Sequence, residues 1–174
     1  MTGPSRLPSL SRLLPLVATL LVAAGCAAEQ EQSVGCLPGE GEAELVIGKG
    51  LHEYQDIDDG GRSSELIHGP QGGFHIDLAL QARHLDASDA WSATLVGSLD
   101  DEVMATARPY LWATCETEAD ALRAWGVRLI WNAVPEQLHD RLVDVDVEVI
   151  DAAGTALTAR VEDLRIEDPW LSAR

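Results

Sequence analysis

Between Arg141 and Ile150, valine alternates with acid. Val143, Val145, Val147 and Val149 fall on one side, and Asp144, Asp146 and Glu148 on the other. A two-residue period with a single apolar face marks a strand buried on one side only. A second clear strand starts at Phe74, where Phe74, Ile76, Leu78 and Leu80 share one face and His75, Asp77, Ala79 and Gln81 the other. Shorter alternations predict strands at Glu44–Gly48, His52–Ile57, Ser64–His68, Trp91–Ser98, Val103–Arg108 and Val127–Asn132. The last strand, Thr155–Ile166, changes phase between Val161 and Leu164, which a bulge near Glu162-Asp163 reconciles. Turns fall at Asp58-Asp59-Gly60-Gly61, Asp100-Asp101-Glu102 and Asp151-Ala152-Ala153-Gly154. Glu116–Trp125 has helical composition, with Thr117 as N-cap and Gly126 as stop, and predicts one short helix or an irregular loop.

Seven to nine short strands, spaced by turns at roughly 8 to 12 residues, predict an all-β antiparallel sandwich. Its closing pair, a valine-rich strand, an Asp-x-x-Gly turn and a final strand, resembles the last hairpin of immunoglobulin-like and fibronectin-like domains. The Cys-Trp-Cys arrangement of antibody domains is absent. A small β-barrel is the alternative architecture. Pro169-Trp170-Leu171 is expected to fold back as an apolar latch, and the five tryptophans are expected mainly in the core.

The strongest turn signal is Gly69-Pro70-Gln71-Gly72-Gly73, directly before the Phe74 strand. Proline fixes φ, and Gly69, Gly72 and Gly73 open conformations denied to other residues, so a hairpin is expected around this loop. His68 and His75 flank it, Asp77 shares the face of His75, and His52 lies upstream. Imidazole with carboxylate is ordinary copper or zinc chemistry, which makes these four residues the candidate metal set. The competing reading makes the histidines polar residues at a sheet rim. Asp56, Asp58 and Asp59 do not form an EF-hand loop, because Ile67 stands where the bidentate glutamate is required.

Residues 1–25 do not share this patterning. Arg6 and Arg12 precede an apolar run from Leu13 to Ala24, and Gly25-Cys26 closes it. That is the three-part layout of a secretory signal. Ala23-Ala24-Gly25-Cys26 resembles the lipobox of bacterial lipoproteins, with Ala23 where leucine is commonest. The resemblance implies cleavage behind Gly25, acylation of Cys26 and, with Ala27 following, an outer-membrane destination. The expected organisation is a signal peptide over 1–25, a lipidated tether over 26–41 and one domain over 42–174.

Cleavage removes two of the 12 basic residues and none of the 29 acids, leaving 10 against 29 and a net charge of −19. Such a surface repels a phosphate backbone, so nucleic acid is not an expected partner. With Cys26 acylated, Cys36 and Cys115 remain as an even pair in an oxidising compartment, and a disulfide between them is expected.

Signatures of a nucleophile elbow, a P-loop, a zincin and a dinucleotide fold are all absent. The lipobox, Leu45-Val46-Ile47-Gly48-Lys49-Gly50 and above all His68-Gly69-Pro70-Gln71-Gly72-Gly73-Phe74-His75 resemble a family of uncharacterised lipoproteins from myxobacteria and related bacteria. The resemblance covers about residues 26–100 and implies a surface or periplasmic lipoprotein; it carries no catalytic residue. The expected function is therefore a lipid-anchored, non-enzymatic binding or surface module of the envelope, without a cofactor and with another envelope protein as partner. A periplasmic copper- or zinc-binding protein is the alternative.

Overall fold

The valine–acid alternation forms the middle of one half of the fold. The computed structural model of the chain describes residues 33–173; the expected signal peptide, Cys26 and the tether up to residue 32 lie outside the described residues. The alternating segment is β11 (Leu142–Ile150), whose four valines are buried. It lies antiparallel between β6 (Trp91–Leu99) and β12 (Ala156–Glu167). A tight turn joins β6 to β7 (Glu102–Ala107), with Asp100 and Asp101 both at positive φ. Aspartate tolerates this left-handed region better than most residues.

The other half is built on β5 (Phe74–Arg83), which pairs with β1 (Glu44–Lys49) on one edge and β10 (Ala121–Trp131) on the other. The halves are joined where Trp131 of β10 pairs with Ala105 of β7. Short strands complete them: β2 (Gln55–Asp56) on β1, β4 (Ile67–His68) on β5, β8 (Tyr110–Leu111) on β6, and β9 (Thr114–Glu116) on β10. The core fills the space between the halves, with Ile76, Leu78, Leu80, Leu95, Leu129, Val145 and Ile166 among its buried members.

The sheet runs β2-β1-β5-β10-β7-β6-β11-β12-β3, where β3 is Ser63–Glu65. Its end strands β2 and β3 do not pair with each other, so it is open, and the barrel alternative is set aside. It is also mixed: β3 runs parallel to β12, against the expectation of a wholly antiparallel arrangement. The cause is the segment expected as one strand, Ser64–His68. It divides at Leu66, a fully buried side chain whose N–H donates to the carbonyl of Glu167 at 2.8 Å. Before Leu66 the backbone bonds to β12, and after it to β5, so this stretch ties one half to the other.

The expected helix near Glu116–Trp125 is not formed. A single 3-10 turn, Thr117–Ala119, ends at Asp120 with φ +49°, and β10 follows at once. Leu122 and Ala124 point to the core in one phase, and Val127, Leu129 and Trp131 in the other. A bulge at Trp125-Gly126, with Gly126 at φ +68°, switches the phase. The two short helices lie elsewhere, at α1 (Pro135–Leu138) and α2 (Pro169–Ser172). The bulge in β12 does fall at Glu162-Asp163, where Asp163 has φ +57° and its N–H donates to Asp144 Oδ1. Trp91 and Trp131 are core residues, whereas Trp112, Trp125 and Trp170 lie at the surface, which corrects the expectation for three of the five.

Cys36 and Cys115 form a disulfide, with Cα atoms 5.7 Å apart. Beside it, the Ser33 hydroxyl and the Gly35 N–H both donate to Asp120 Oδ1. These bonds hold the Asp120 carboxyl below the usual aspartate range. From Ser33 onward the chain is thus anchored on β9 and the start of β10.

Candidate functional site

The Gly-Pro-Gln-Gly-Gly loop closes the β4–β5 hairpin, with the Gly69 N–H donating to the Gly73 carbonyl at 2.8 Å and Gly72 at φ +83°. Register then separates the two histidines. His68 pairs with Phe74 and Ile67 with His75, so His68 and His75 project from opposite faces. His52 is exposed on the loop after β1. The four residues of the candidate metal set do not converge. Among the described residues, no group of three His, Cys, Asp or Glu side chains is placed to hold a metal ion.

His68 has a different partner. Its Nε2 lies 2.9 Å from Oδ2 of the fully buried Asp168, a residue 100 positions away. Trp170 stacks on the imidazole at 4.2 Å, and Phe74 meets it edge-on at 5.0 Å. Asp168 also caps α2 by accepting from the Trp170 N–H at 2.8 Å, while its own N–H donates to His139 Nδ1. Burial alone would raise the Asp168 carboxyl; the His68 hydrogen bond and the N–H groups of α2 outweigh it and hold the group below its ordinary range. The C-terminal latch is therefore real, and His68 is its receptor. A histidine oriented by a buried aspartate is also half of a nucleophile-activating arrangement. Here, among the described residues, no hydroxyl or thiol hydrogen-bonds the imidazole, and both cysteines are in the disulfide.

The other face of the hairpin holds the unusual group. Asp77 is 7% exposed, and neither carboxylate oxygen has a hydrogen-bond partner. His75 Nε2 and Arg128 Nε each come to 3.7 Å of Oδ1, near enough for Coulomb attraction and too far for a hydrogen bond. Burying a carboxylate costs several kcal/mol even after relaxation, and native proteins rarely leave one unsatisfied.

Why Asp77 is hidden follows from the path of the chain. The backbone leaves β1 at Gly50, whose N–H donates to the Asp77 carbonyl at 3.1 Å, and returns to the same edge of β5 at Ile67. The excursion between covers the face of β5 that carries His75, Asp77 and Ala79. Lys49 fastens its root, donating to the carbonyls of Asp59 and Ser63 at 2.7 and 3.0 Å. Between cover and sheet lies a cleft of about 250 Å³, walled by Lys49, Gly50, Leu51, Gln55, Ser64, Glu65, Ile67 and Asp77. Ile67 and Asp77 rise from the same face, with both carboxylate oxygens closed off beneath the cover.

Asp77 was visible in the sequence as a possible ligand beside His75; its burial was not. Nor does any pattern single out Leu51, Ser64 or Glu65 as its neighbours. The one available signal is Ala79, a small apolar residue on a face otherwise polar, which hints that something covers that side. No protein-family model matches the chain, and no match is found among curated proteins.

Proposed function

We propose that this chain is a lipid-anchored, non-enzymatic binding module of the cell envelope, held at the outer membrane through Cys26 and serving another envelope component. The observation that carries the binding reading is the cleft under the 51–66 stretch, whose lining brings Lys49, Glu65 and Asp77 together with Leu51 and Ile67. A few charged groups set against apolar side chains in a concavity are the make-up of a small-molecule site. Export and anchoring are supported by the lipobox-like Ala23-Ala24-Gly25-Cys26 and by the Cys36–Cys115 disulfide, a bond that persists in oxidising compartments. The non-enzymatic reading is supported by the setting of His68, which is occupied in holding the C-terminal latch. The finer reading of the fold as an immunoglobulin-like or fibronectin-like sandwich is supported by the valine-rich strand, Asp-x-x-Gly turn and final strand of the β11–β12 hairpin.

Metabolic labelling with a clickable palmitate analogue tests the anchor. The label is expected on the full chain and lost in Cys26→Ser, with the protein released from the membrane fraction. A wild-type chain left unlabelled overturns the anchored reading. Native mass spectrometry of the protein extracted from membranes tests binding: a small-molecule adduct is expected, and its absence at every extraction condition counts against a binding module.

A further inference from the structure

We propose that the outer face formed by β10 and residues 108–114 is the surface on which the domain seats against a lipid bilayer, with Tyr110, Trp112 and Trp125 at headgroup level and Arg108 and Arg128 on lipid phosphates. This rests on the anchored reading above and assigns the face that the anchored domain turns to the membrane.

Register sets the face. Ser92 pairs with Tyr110 and Arg123 with Thr114, so Arg108, Tyr110, Trp112 and Thr114 point away from the core, between β6 and β10. Two residues on from Arg123, the same ladder carries Trp125 to the level of Trp112, and Arg128 and Ile130 follow on that side after the bulge. Tyr110 is 78% exposed, Trp112 72%, Ile130 59% and Trp125 37%. Scattered apolar residues at a surface are ordinary, but three aromatics gathered on one face mark a contact surface. Tryptophan and tyrosine favour the membrane–water boundary, because each joins an apolar ring to a polar tip.

Charge selects the partner. Arg108, Arg123 and Arg128 are three of the ten basic residues that remain after the expected cleavage, in a chain then carrying −19. The acids of this face are already engaged: Arg123 holds Glu116 at 2.5 Å, and Arg128 lies 3.7 Å from the buried Asp77. Arg108 is exposed and, among the described residues, in no ion pair. Glu148 pairs with Thr94 on β6, which puts it two strands, about 10 Å, from the strand of Arg108. That is a full Debye length at physiological salt, so the face acts locally as a basic one. Arginine beside aromatic rings suits anionic headgroups.

The bilayer is also within reach. From an acylated Cys26, seven residues of chain lead to Ser33, a span of at most about 25 Å. Ser33 is tied to Asp120, and the Cα of Cys36 lies 5.7 Å from that of Cys115, three residues from Trp112. A tether this short holds the aromatic face close to the lipid.

The test is tryptophan quenching in the full-length acylated protein, reconstituted into vesicles of phosphatidylcholine with phosphatidylglycerol as the minor lipid and bromine on the acyl chains. Quenching is expected in wild type and is expected to be lost in a Trp112→Phe, Trp125→Phe double variant, whose changes lie at the surface and spare the core. Arg108→Glu is expected to weaken quenching in these vesicles and to leave it unchanged in pure phosphatidylcholine. Quenching that is absent, or that survives the double variant, overturns the seating, while palmitate labelling of Cys26 keeps the anchor. Saturable binding of a chitin oligosaccharide that depends on Trp112, without lipid quenching, also overturns it and gives the face to a glycan. A chain left unlabelled at Cys26 overturns anchor and seating together.

Discussion

His68 and Asp168 lie 100 residues apart and are joined at 2.9 Å, closing the chain's end onto the loop that holds its strongest turn signal. Because this carboxyl sits below its ordinary range when folded, the unfolded chain takes up the proton first. The stabilisation is therefore fully present above about pH 4 and is lost as pH falls through the lower, folded value. Asp168→Asn is expected to unfold at lower urea concentration than wild type at pH 7, with the gap narrowing as pH drops below 4. A gap that stays constant over that range would show the charge to be irrelevant. Asp168→Ala also removes the α2 cap and is expected to cost about 1–3 kcal/mol at pH 7.

Asp77 predicts the opposite sign. Its charge is buried without hydrogen bonds, so its neutral isostere should make the fold more stable. Asp77→Asn is expected to raise stability by about 1–3 kcal/mol in the absence of ligand, measured as a shift in the urea midpoint with unchanged slope. A loss of stability would mean that Arg128 and His75, both at 3.7 Å, satisfy the carboxylate after all.

These two aspartates also mark how far the sequence could be followed. Strands whose two faces differ in polarity announce themselves by parity, and the β11 valines and the apolar face of β5 were legible for that reason. So was the Glu162-Asp163 bulge, because the apolar phase changes across it. Parity failed where a bulge was disguised: the Leu122 and Ala124 phase ended at Trp125-Gly126 inside a run of good helix formers, and the stretch read as a helix. It failed again at Leu66, where one short segment serves both halves of the sheet. The hidden face of β5 was illegible because what covers it is a stretch of 16 residues, 51–66, whose only strands are the short β2 and β3, separated by an Asp-Gly-rich turn. The partnership of His68 with Asp168, unlike that of Cys36 with Cys115, has no compositional cue.

The disulfide closes a span of 79 residues, which in the chain-entropy view is worth about 4 kcal/mol. A Cys36→Ser, Cys115→Ser double variant is expected to lose that order of stability in urea. Wild type under a strong reductant should match the double variant. Because Ser33 and Gly35 also hold Asp120, the first residues of the domain should be the first to gain hydrogen exchange when the bond is removed. Equal exchange there in both forms would show that the polar contacts alone suffice.

Gly126 connects the β10 bulge to the cover of the cleft. Its N–H donates to the Gly50 carbonyl at 2.9 Å, its φ is +68°, and a Cβ placed on it would stand 3.0 Å from the Leu51 carbonyl oxygen. Gly154, in the β11–β12 turn, has φ +86° with nothing within 4 Å of such a Cβ. Alanine at Gly154 should thus cost only the left-handed backbone strain, about 1 kcal/mol. Alanine at Gly126 carries the same strain plus a displacement of Leu51, and should cost about 2 kcal/mol. Urea titration of the pair separates the two contributions, since the backbone penalty is common and the contact is not. Equal losses in the two variants would show that the chain at Leu51 yields without cost.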